Sequence, residues 1–448
     1  MFSPLAGPDS AGCRRGRWAA FVVAGTALSV ATIALARRIL RIEERPSGAT
    51  GAAISDDGAR EAVCRFAASG GLARDAGNDF APSTAGAIDP FVEGTEFYPR
   101  MLADLEQAST IHILMFGWKP GTWGDRFADT IAERLAAGAE VRIVIDSFGS
   151  RPYGSSRSMF TRLVGAGAQV VVNDLLPPVR HGWYPTARAA WNRLDIGRSD
   201  HRKLFVIDGR VMWTGGAGIE DHFENGEFHD VMVRLTGDVV RQAQAVFAMA
   251  FVGNGGSAES VDDWFVTPDD GGSIPTAIGQ VVPGGCVTAT HAARNLIDTA
   301  TRRLDIVNPY LTDAGMINRL IEAARRDVRV RVVVSARSNN ALASAALRHH
   351  YAAMLDAGIE IWLYPDAVVH AKVIAADDAV QFGTLNLDAW ALYRNYELAV
   401  VADDSATTEH LIEALVDPAI ARSTRVEAPS HGLAARVEGL AARASYLL

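Results

Sequence analysis

The sequence predicts an α/β fold in which two βαβ repeats pack around one shared site, preceded by a single N-terminal transmembrane helix. Three observations support this prediction: an uncharged apolar run near the N-terminus, a helix and strand pattern that occurs twice, and one polar motif present in both copies. The chain has 448 residues, of which 49% are hydrophobic and 21% charged. This composition excludes a mainly disordered protein and is enough for two or three domains.

The uncharged run covers residues 18–36 and has arginines on both sides. As a helix it would span about 28 Å, close to the hydrocarbon thickness of a bilayer. A cleaved signal peptide with Ala34 to Ala36 as its A-x-A site is the alternative, but the run is long and arginines follow at once. We therefore expect a single-pass protein of the cell membrane, with a basic segment at 1–17 and a linker at 37–90. The arginines do not decide which side of the membrane the body occupies.

The helix and strand pattern predicts one repeat at 91–275 and a second at 276–448. In the first, a helix from Phe97 precedes a strand from Thr110, and a further helix precedes a strand from Val141. The second repeats this order with strands from Leu304 and Val330. Helical spacing that alternates with short β-branched runs is typical of βαβ units on a largely parallel sheet.

Both repeats then reach the motif HxKxxxxD, which reads HRKLFVID in the first and HAKVIAAD in the second. It supplies six candidate catalytic residues: His201, Lys203, Asp208, His370, Lys372 and Asp377. On a strand, residues two apart face the same side, so each histidine and its lysine should project into one site. Each aspartate follows apolar residues and precedes a turn, which favours a scaffold role over proton transfer.

Two such half-sites suit the cleavage of a phosphodiester by a covalent route. One neutral imidazole can attack phosphorus, the lysines can hold the non-bridging oxygens, and a second, protonated imidazole can protonate the leaving alkoxide. This chemistry needs no cofactor and no metal. The three cysteines are far apart and lack CxxC spacing, which also argues against a zinc site or a disulfide framework.

From about Phe91 to at least Val401 the chain resembles the phospholipase D superfamily. The resemblance implies phosphate contacts from Gly216, Thr384 and Asn386, which follow the two motifs. It also implies that two later carboxylates, Asp230 and Glu397, orient the imidazoles; the alternative is that they are ordinary strand-edge acids. By the family pattern we expect His201 to be the nucleophile, although the near-symmetric motifs leave His370 open.

Within that superfamily, the membrane helix and the segment HDVMVRLTGDVVRQAQAVFAMAF resemble bacterial cardiolipin synthases. The implied activity is a phosphatidyl transfer through a phosphohistidine, with the membrane and a phospholipid such as phosphatidylglycerol as partners. The alternatives are a phospholipase D hydrolase that releases phosphatidic acid and an inactive lipid-binding scaffold. The net charge of −9 argues against nucleic acid as a partner. The chain departs from the family pattern at Gly218, where asparagine is usual, and at Trp390-Ala391, where Arg-Ser often occurs.

Two features remain beside the motifs. The segment before His201 is longer than the one before His370 and interleaves aromatic residues with arginines, which suggests a lid or lipid-entry loop. A loop that only packs over the core is the alternative.

The chain has only three lysines among its 43 basic residues. The third, Lys119, is expected in a solvated loop, with a place near the mouth of the active site as the alternative.

Overall fold

The computed structural model describes residues 83–173, 199–258, 260–268, 272–283, 285 and 287–444. All of these residues belong to one compact unit. The predicted membrane helix at 18–36 and most of the segment before His201 lie outside the described residues. Within the described ranges, no helix combines the length and the apolar character needed to cross a bilayer.

The strands follow one another in this order: β1 (Ser83–Ala85), β2 (Ile88–Val92), β3 (Thr110–Met115), β4 (Glu140–Asp146), β5 (Gln169–Asn173), β6 (Lys203–Ile207), β7 (Val211–Gly215), β8 (Phe228–His229), β9 (Val231–Thr236), β10 (Ile274–Val281), β11 (Arg303–Val307), β12 (Arg329–Ser335), β13 (Glu360–Tyr364), β14 (Val368–Val369), β15 (Val373–Ala376), β16 (Ala379–Gly383), β17 (Glu397–Asp403) and β18 (Thr424–Arg425).

The α-helices between and after them are α1 (Gly94–Glu106), α2 (Thr122–Ala136), α3 (Arg157–Gly165), α4 (Val239–Gly253), α5 (Thr288–Thr299), α6 (Ala314–Arg325), α7 (Ala341–Arg348), α8 (Tyr351–Asp356), α9 (Ala389–Tyr393), α10 (Ser405–Leu411), α11 (Asp417–Arg422) and α12 (Leu433–Ala444).

Apart from β8 and β14, which pair with each other, these strands form two large sheets with the same internal order. The first has the order β2-β9-β7-β6-β3-β4-β5, and the second has the order β1-β10-β17-β16-β15-β11-β12-β13-β18. We call the residues of the first sheet and its helices the first half, and those of the second sheet the second half. The predicted α/β fold is confirmed.

The expectation of a largely parallel sheet was wrong. Within the two large sheets, only β3, β4 and β5 in the first half, and β11, β12 and β13 in the second, are parallel neighbours. The motif strands β6 and β15 each continue through a tight turn into the next strand, so they pair with it in the antiparallel sense. A turn of that length cannot join parallel strands, which need a long crossover connection.

The halves share an apolar core. One cluster combines Val206 and Val233 from the first sheet with Val373 and Val400 from the second, and includes Phe247 of α4. Each of these side chains is at most 1% exposed. Burial on this scale fixes the two sheets relative to each other, and thereby fixes the strand ends that carry the motifs.

Candidate active site

The two histidine–lysine pairs lie at the start of the motif strands. His201 comes just before β6 and His370 just before β15, and both imidazoles are 12% exposed. Lys203 is 1% exposed and Lys372 3%. The Nζ atom of Lys203 donates to the carbonyl of His201 over 2.6 Å, and Lys372 donates in the same way to the carbonyl of His370. Each buried cation is therefore held beside its own histidine.

Each imidazole faces a carboxylate from the opposite half. His201 Nδ1 lies 3.0 and 3.1 Å from the two carboxylate oxygens of Glu397. His370 Nδ1 lies 2.7 Å from Oδ2 of Asp230. The structure thus brings together the predicted histidines and the predicted carboxylates, but it pairs them between the halves. A carboxylate on Nδ1 fixes the ring orientation and favours the tautomer in which Nε2 is the unprotonated nitrogen. In His370, Nε2 also lies 3.2 Å from Nζ of Lys372.

Short backbone pairings explain the crossed partners. In the first pairing, the amide of His201 donates to the carbonyl of Tyr396 over 3.0 Å, which places Glu397 next to His201. In the second, β14 pairs with β8 in parallel, and the amide of His370 donates to the carbonyl of His229 over 2.7 Å. Because Asp230 follows His229, its side chain comes to lie against His370.

The predicted phosphate-contacting residues lie close to these carboxylates. A Cβ atom at Gly216 would lie 2.3 Å from Oδ1 of Asp230, so only glycine fits there. The hydroxyl of Thr384 donates to Glu397 and accepts from the amide of Leu398 over 2.9 Å. Asn386 is 6% exposed, and its amide oxygen is buried with no hydrogen-bond partner among the described residues. Of the three, Asn386 retains an acceptor that is still unused, whereas the hydroxyl of Thr384 serves Glu397.

The motif aspartates lie at the opposite ends of their strands. The length of β6 places Asp208 about 16 Å from Lys203. Asp208 has a φ of 53° and accepts from the amides of Ser109 and Thr110 over 2.8 and 2.7 Å. Asp377 has a φ of 51° and accepts from three successive amides beginning at Thr301. Both aspartates therefore join the turn after a motif strand to the start of the neighbouring strand.

Burial and the lysines set the charges in the site. Burial together with the Lys372 ammonium lowers the pKa of His370 to about 3, and burial with Lys203 lowers the pKa of His201 well below its usual value. Burial also lowers the pKa of Lys203 to about 8 and that of Lys372 to about 7. Both imidazoles are therefore neutral near pH 7, which is the state that a nucleophile requires.

The two carboxylates differ. Burial raises the pKa of Glu397 to about 8. Burial acts in the same direction on Asp230, but Lys372 and the hydrogen bond to His370 outweigh it, so the pKa of Asp230 is lowered. His370 therefore faces an ionised carboxylate near pH 7, and His201 faces one that holds its proton more readily. An ionised partner stabilises a protonated imidazole, so His370 is the better placed of the two to become the proton donor.

The sequence analysis missed the aromatic walls of the site and one buried ion pair. Phe116 contacts His201 edge-on at 4.8 Å between ring centres, and Phe228 contacts His370 in the same way at 5.4 Å. Arg202 is 4% exposed and donates to Asp200 over 2.6 Å. The different middle residue of the two motifs, arginine in one and alanine in the other, was the available signal for this ion pair. Nothing in the sequence pattern distinguished the two phenylalanines.

Known proteins resemble this chain in both sequence and fold. Residues 293–416 match the family described as "Cardiolipin synthase, PLD-like domain". The chain is 23% identical to cardiolipin synthase 1 of Staphylococcus epidermidis, over 73% of this chain and 66% of that protein. It is 25% identical to the major cardiolipin synthase ClsA of Bacillus subtilis, over 73% of this chain and 67% of that protein. The chain thus spans about two thirds of the length of these relatives.

Among solved structures, the phosphatidylserine synthase of Haemophilus influenzae Rd KW20 superposes with a TM-score of 0.59 at 12% identity, covering 78% of this chain and 89% of that one. This likeness concerns the fold. The family match and the sequence relatives confirm the expected resemblance to PLD-like proteins of the cardiolipin synthase type.

Proposed function

Starting from this relationship, we propose that the chain is a membrane-associated phosphatidyltransferase, cardiolipin synthase-like, that acts on phospholipid phosphodiesters through a phosphohistidine. The observation that supports this proposal best is the pair of imidazoles held by carboxylates from opposite halves beside two buried lysines. The proposal includes the division into repeats at 91–275 and 276–448 and the membrane anchor at 18–36.

In the first step, Nε2 of His201 attacks the phosphorus of a phosphatidylglycerol donor. The bond between phosphorus and the headgroup oxygen breaks, and Nε2 of His370 gives its proton to the departing glycerol. The protonated lysines, Lys203 and Lys372, hold the non-bridging oxygens, and the anionic substrate keeps them charged. The negative phosphodiester also raises the proton affinity of His370, which would otherwise be neutral.

In the second step, His370 takes a proton from the hydroxyl of an acceptor alcohol, and the resulting oxygen nucleophile attacks the phosphohistidine. The bond between His201 and phosphorus breaks, which returns both imidazoles to their starting states. A second phosphatidylglycerol as acceptor yields cardiolipin. Water as acceptor yields phosphatidic acid, which is the alternative function, a phospholipase D hydrolase.

The test is incubation of the full chain with phosphatidylglycerol vesicles, with the products identified by mass spectrometry. Cardiolipin together with free glycerol is the expected result. Phosphatidic acid as the main product would replace the transferase by the hydrolase. A protein that binds the vesicles without forming either product would be the inactive lipid-binding scaffold.

A further inference from the structure

Lys119 and Glu220 form an ion pair beside the catalytic centre that the mechanism above leaves unused. Lys119 Nζ lies 2.6 Å from Oε2 of Glu220. Two backbone hydrogen bonds, Lys119 to the carbonyl of Ile219 and Ile219 to the carbonyl of Gly117, join the loops that carry the pair. The carboxylate side chain is 12% exposed and the lysine side chain 40%. Glu220 therefore lies inside the loop contact, and the ammonium of Lys119 lies nearer to solvent.

On one side, the carboxylate of Glu220 is close to the surroundings of His201. A Cβ atom at Gly117 would lie 2.4 Å from Oε1 of Glu220, so the carboxylate rests on the backbone of the loop. The preceding residue, Phe116, contacts the ring of His201 at 4.8 Å between ring centres. Lys203 Nζ lies 4.9 Å from the centre of the Phe116 ring. Glu220 is also among the anions that favour the charged form of Lys203.

On its other side, the same carboxylate is close to the surroundings of His370. His222 Nδ1 lies 3.7 Å from Oε2 of Glu220. The ring of His222 stands 4.3 Å from that of Phe228, which in turn contacts His370 at 5.4 Å. Glu220 therefore lies between the aromatic residues that contact the two catalytic histidines.

The second half uses the equivalent positions differently. Counted from the ends of β7 and β16, Gly218 corresponds to Asn386 and Glu220 to Asp388. Asp388 caps α9 by accepting from the amides of Trp390 and Ala391 over 2.9 and 3.0 Å. The carboxylate of Asp388 therefore hydrogen-bonds to backbone amides and forms the N-terminal cap of a helix.

In the first half, the capping is done by Asp221, which accepts from the amides of Thr122 and Trp123 over 2.9 Å each. Glu220 is thereby free to pair with Lys119. Gly218 brings no side chain, and a Cβ atom there would lie 3.3 Å from Oε1 of Glu220. An acidic and a basic group thus stand near the position where the second half has the amide of Asn386.

We propose that Lys119 and Glu220 form a subsite for the headgroup of the acceptor lipid, a phosphate that carries a polyol. This rests on the function proposed above. Lys203 and Lys372 hold the phosphate under attack, so the acceptor's own phosphate needs a separate cation. An ammonium has three donors, and pairing with Glu220 leaves Lys119 donors for that phosphate, while the carboxylate accepts from the glycerol hydroxyls. A water acceptor requires neither contact.

The test compares Glu220→Gln and Lys119→Met with the unchanged protein on phosphatidylglycerol vesicles. Cardiolipin and phosphatidic acid are measured in the same reaction. We expect the ratio of cardiolipin to phosphatidic acid to fall at least about tenfold in both variants, the effect of one lost charge-assisted hydrogen bond. The KM for phosphatidylglycerol should rise, while hydrolysis of the soluble diester bis(p-nitrophenyl) phosphate should fall much less than the product ratio, and least in Lys119→Met, because Glu220 also favours the charged form of Lys203. Lys119→Arg keeps a cation and should preserve most of the ratio.

The matched control is Asp129→Asn, which breaks the exposed ion pair between Asp129 and Arg162 on α2 and α3 and should leave both products unchanged. An unaltered product ratio in Glu220→Gln and Lys119→Met would overturn the subsite. So would an equal loss of both products together with the soluble activity, because that pattern indicates damage to the common centre. If the unchanged protein makes no cardiolipin, the proposed function itself fails and the acceptor subsite fails with it.

Discussion

His201 and His370 occupy equivalent places at the starts of β6 and β15, but the groups around them differ. His201 faces Glu397, whose carboxylate also accepts from the hydroxyl of Thr384. His370 faces Asp230, whose carboxylate leaves room only for glycine at the equivalent position. The comparison shows how a duplicated motif can place two imidazoles beside carboxylates of different proton affinity, which suits the separate roles of nucleophile and proton donor.

We expect the largest loss of activity when the two imidazoles are removed one at a time. We expect His201→Ala and His370→Ala each to reduce turnover by at least about 10⁴, because each imidazole has a role that the other cannot fill at the same moment. Trapping with labelled substrate should place the phosphohistidine on His201. A label that maps to His370 in the unchanged protein would reverse the assignment of the two halves.

The crossed carboxylates give the next largest effect. Asp230→Asn and Glu397→Gln should each lower kcat by about 10² to 10³, because the imidazole loses the group that fixes its tautomer. In NMR titrations, Asp230→Asn should shift the ring signals of His370 and leave those of His201 nearly in place. Glu397→Gln should do the reverse. A shift of the histidine from the same half in either variant would contradict the pairing between halves.

Variants of Lys203 and Lys372 test whether each half of the site needs a compact cation. Lys203→Arg and Lys372→Arg should fold normally but turn over about 10²-fold more slowly, because a planar guanidinium does not fit where an ammonium bends back to its own histidine carbonyl. Circular dichroism checks the fold, and an assay with the soluble diester measures the rate. Near-normal activity in either variant would show that any cation is sufficient there.

The same lysines predict a pH dependence. The pKa values of Lys203, about 8, and Lys372, about 7, lie below the usual lysine value, so these groups are charged at lower pH and lose their protons as the pH rises. The KM for the phosphodiester should therefore increase by about tenfold between pH 7 and pH 9.5. A KM that stays constant over this range would indicate that substrate binding does not depend on these ammonium groups.

The smallest effects should come from the motif aspartates. Asparagine tolerates a positive φ, so Asp208→Asn and Asp377→Asn test the carboxylate without straining the backbone. We expect activity within about twofold of normal and a loss of stability of about 1 kcal/mol for Asp208→Asn and about 2 kcal/mol for Asp377→Asn, which receives more hydrogen bonds. Chemical denaturation measures both. A loss of activity as large as that of the histidine variants would place these residues in the chemistry.

Much of the site could be predicted from sequence because its chemistry is local. A histidine and a lysine two residues apart on a strand face the same side wherever that strand lies, so the two motifs predict the two clusters. The same holds for Asp208 and Asp377, whose place before a turn predicts the scaffold position that the structure gives them. The α/β fold followed from the alternating periods of the two repeats.

Contacts between residues far apart in the chain could not be predicted from the sequence and are seen only in the tertiary structure. Which carboxylate faces which histidine depends on the pairing of β8 with β14 and of Asp200 with Tyr396, contacts that no local pattern specifies. Glu397 and Asp230 are both buried, and their pKa values differ because neighbouring charges and hydrogen bonds outweigh burial only at Asp230, an arrangement that the packing of the two sheets produces. Which groups take part could be predicted from the sequence alone, because the chemistry of a side chain does not depend on where the fold places it. Their partners and proton affinities were decided by the fold, because electrostatic interactions and desolvation depend on distances in space.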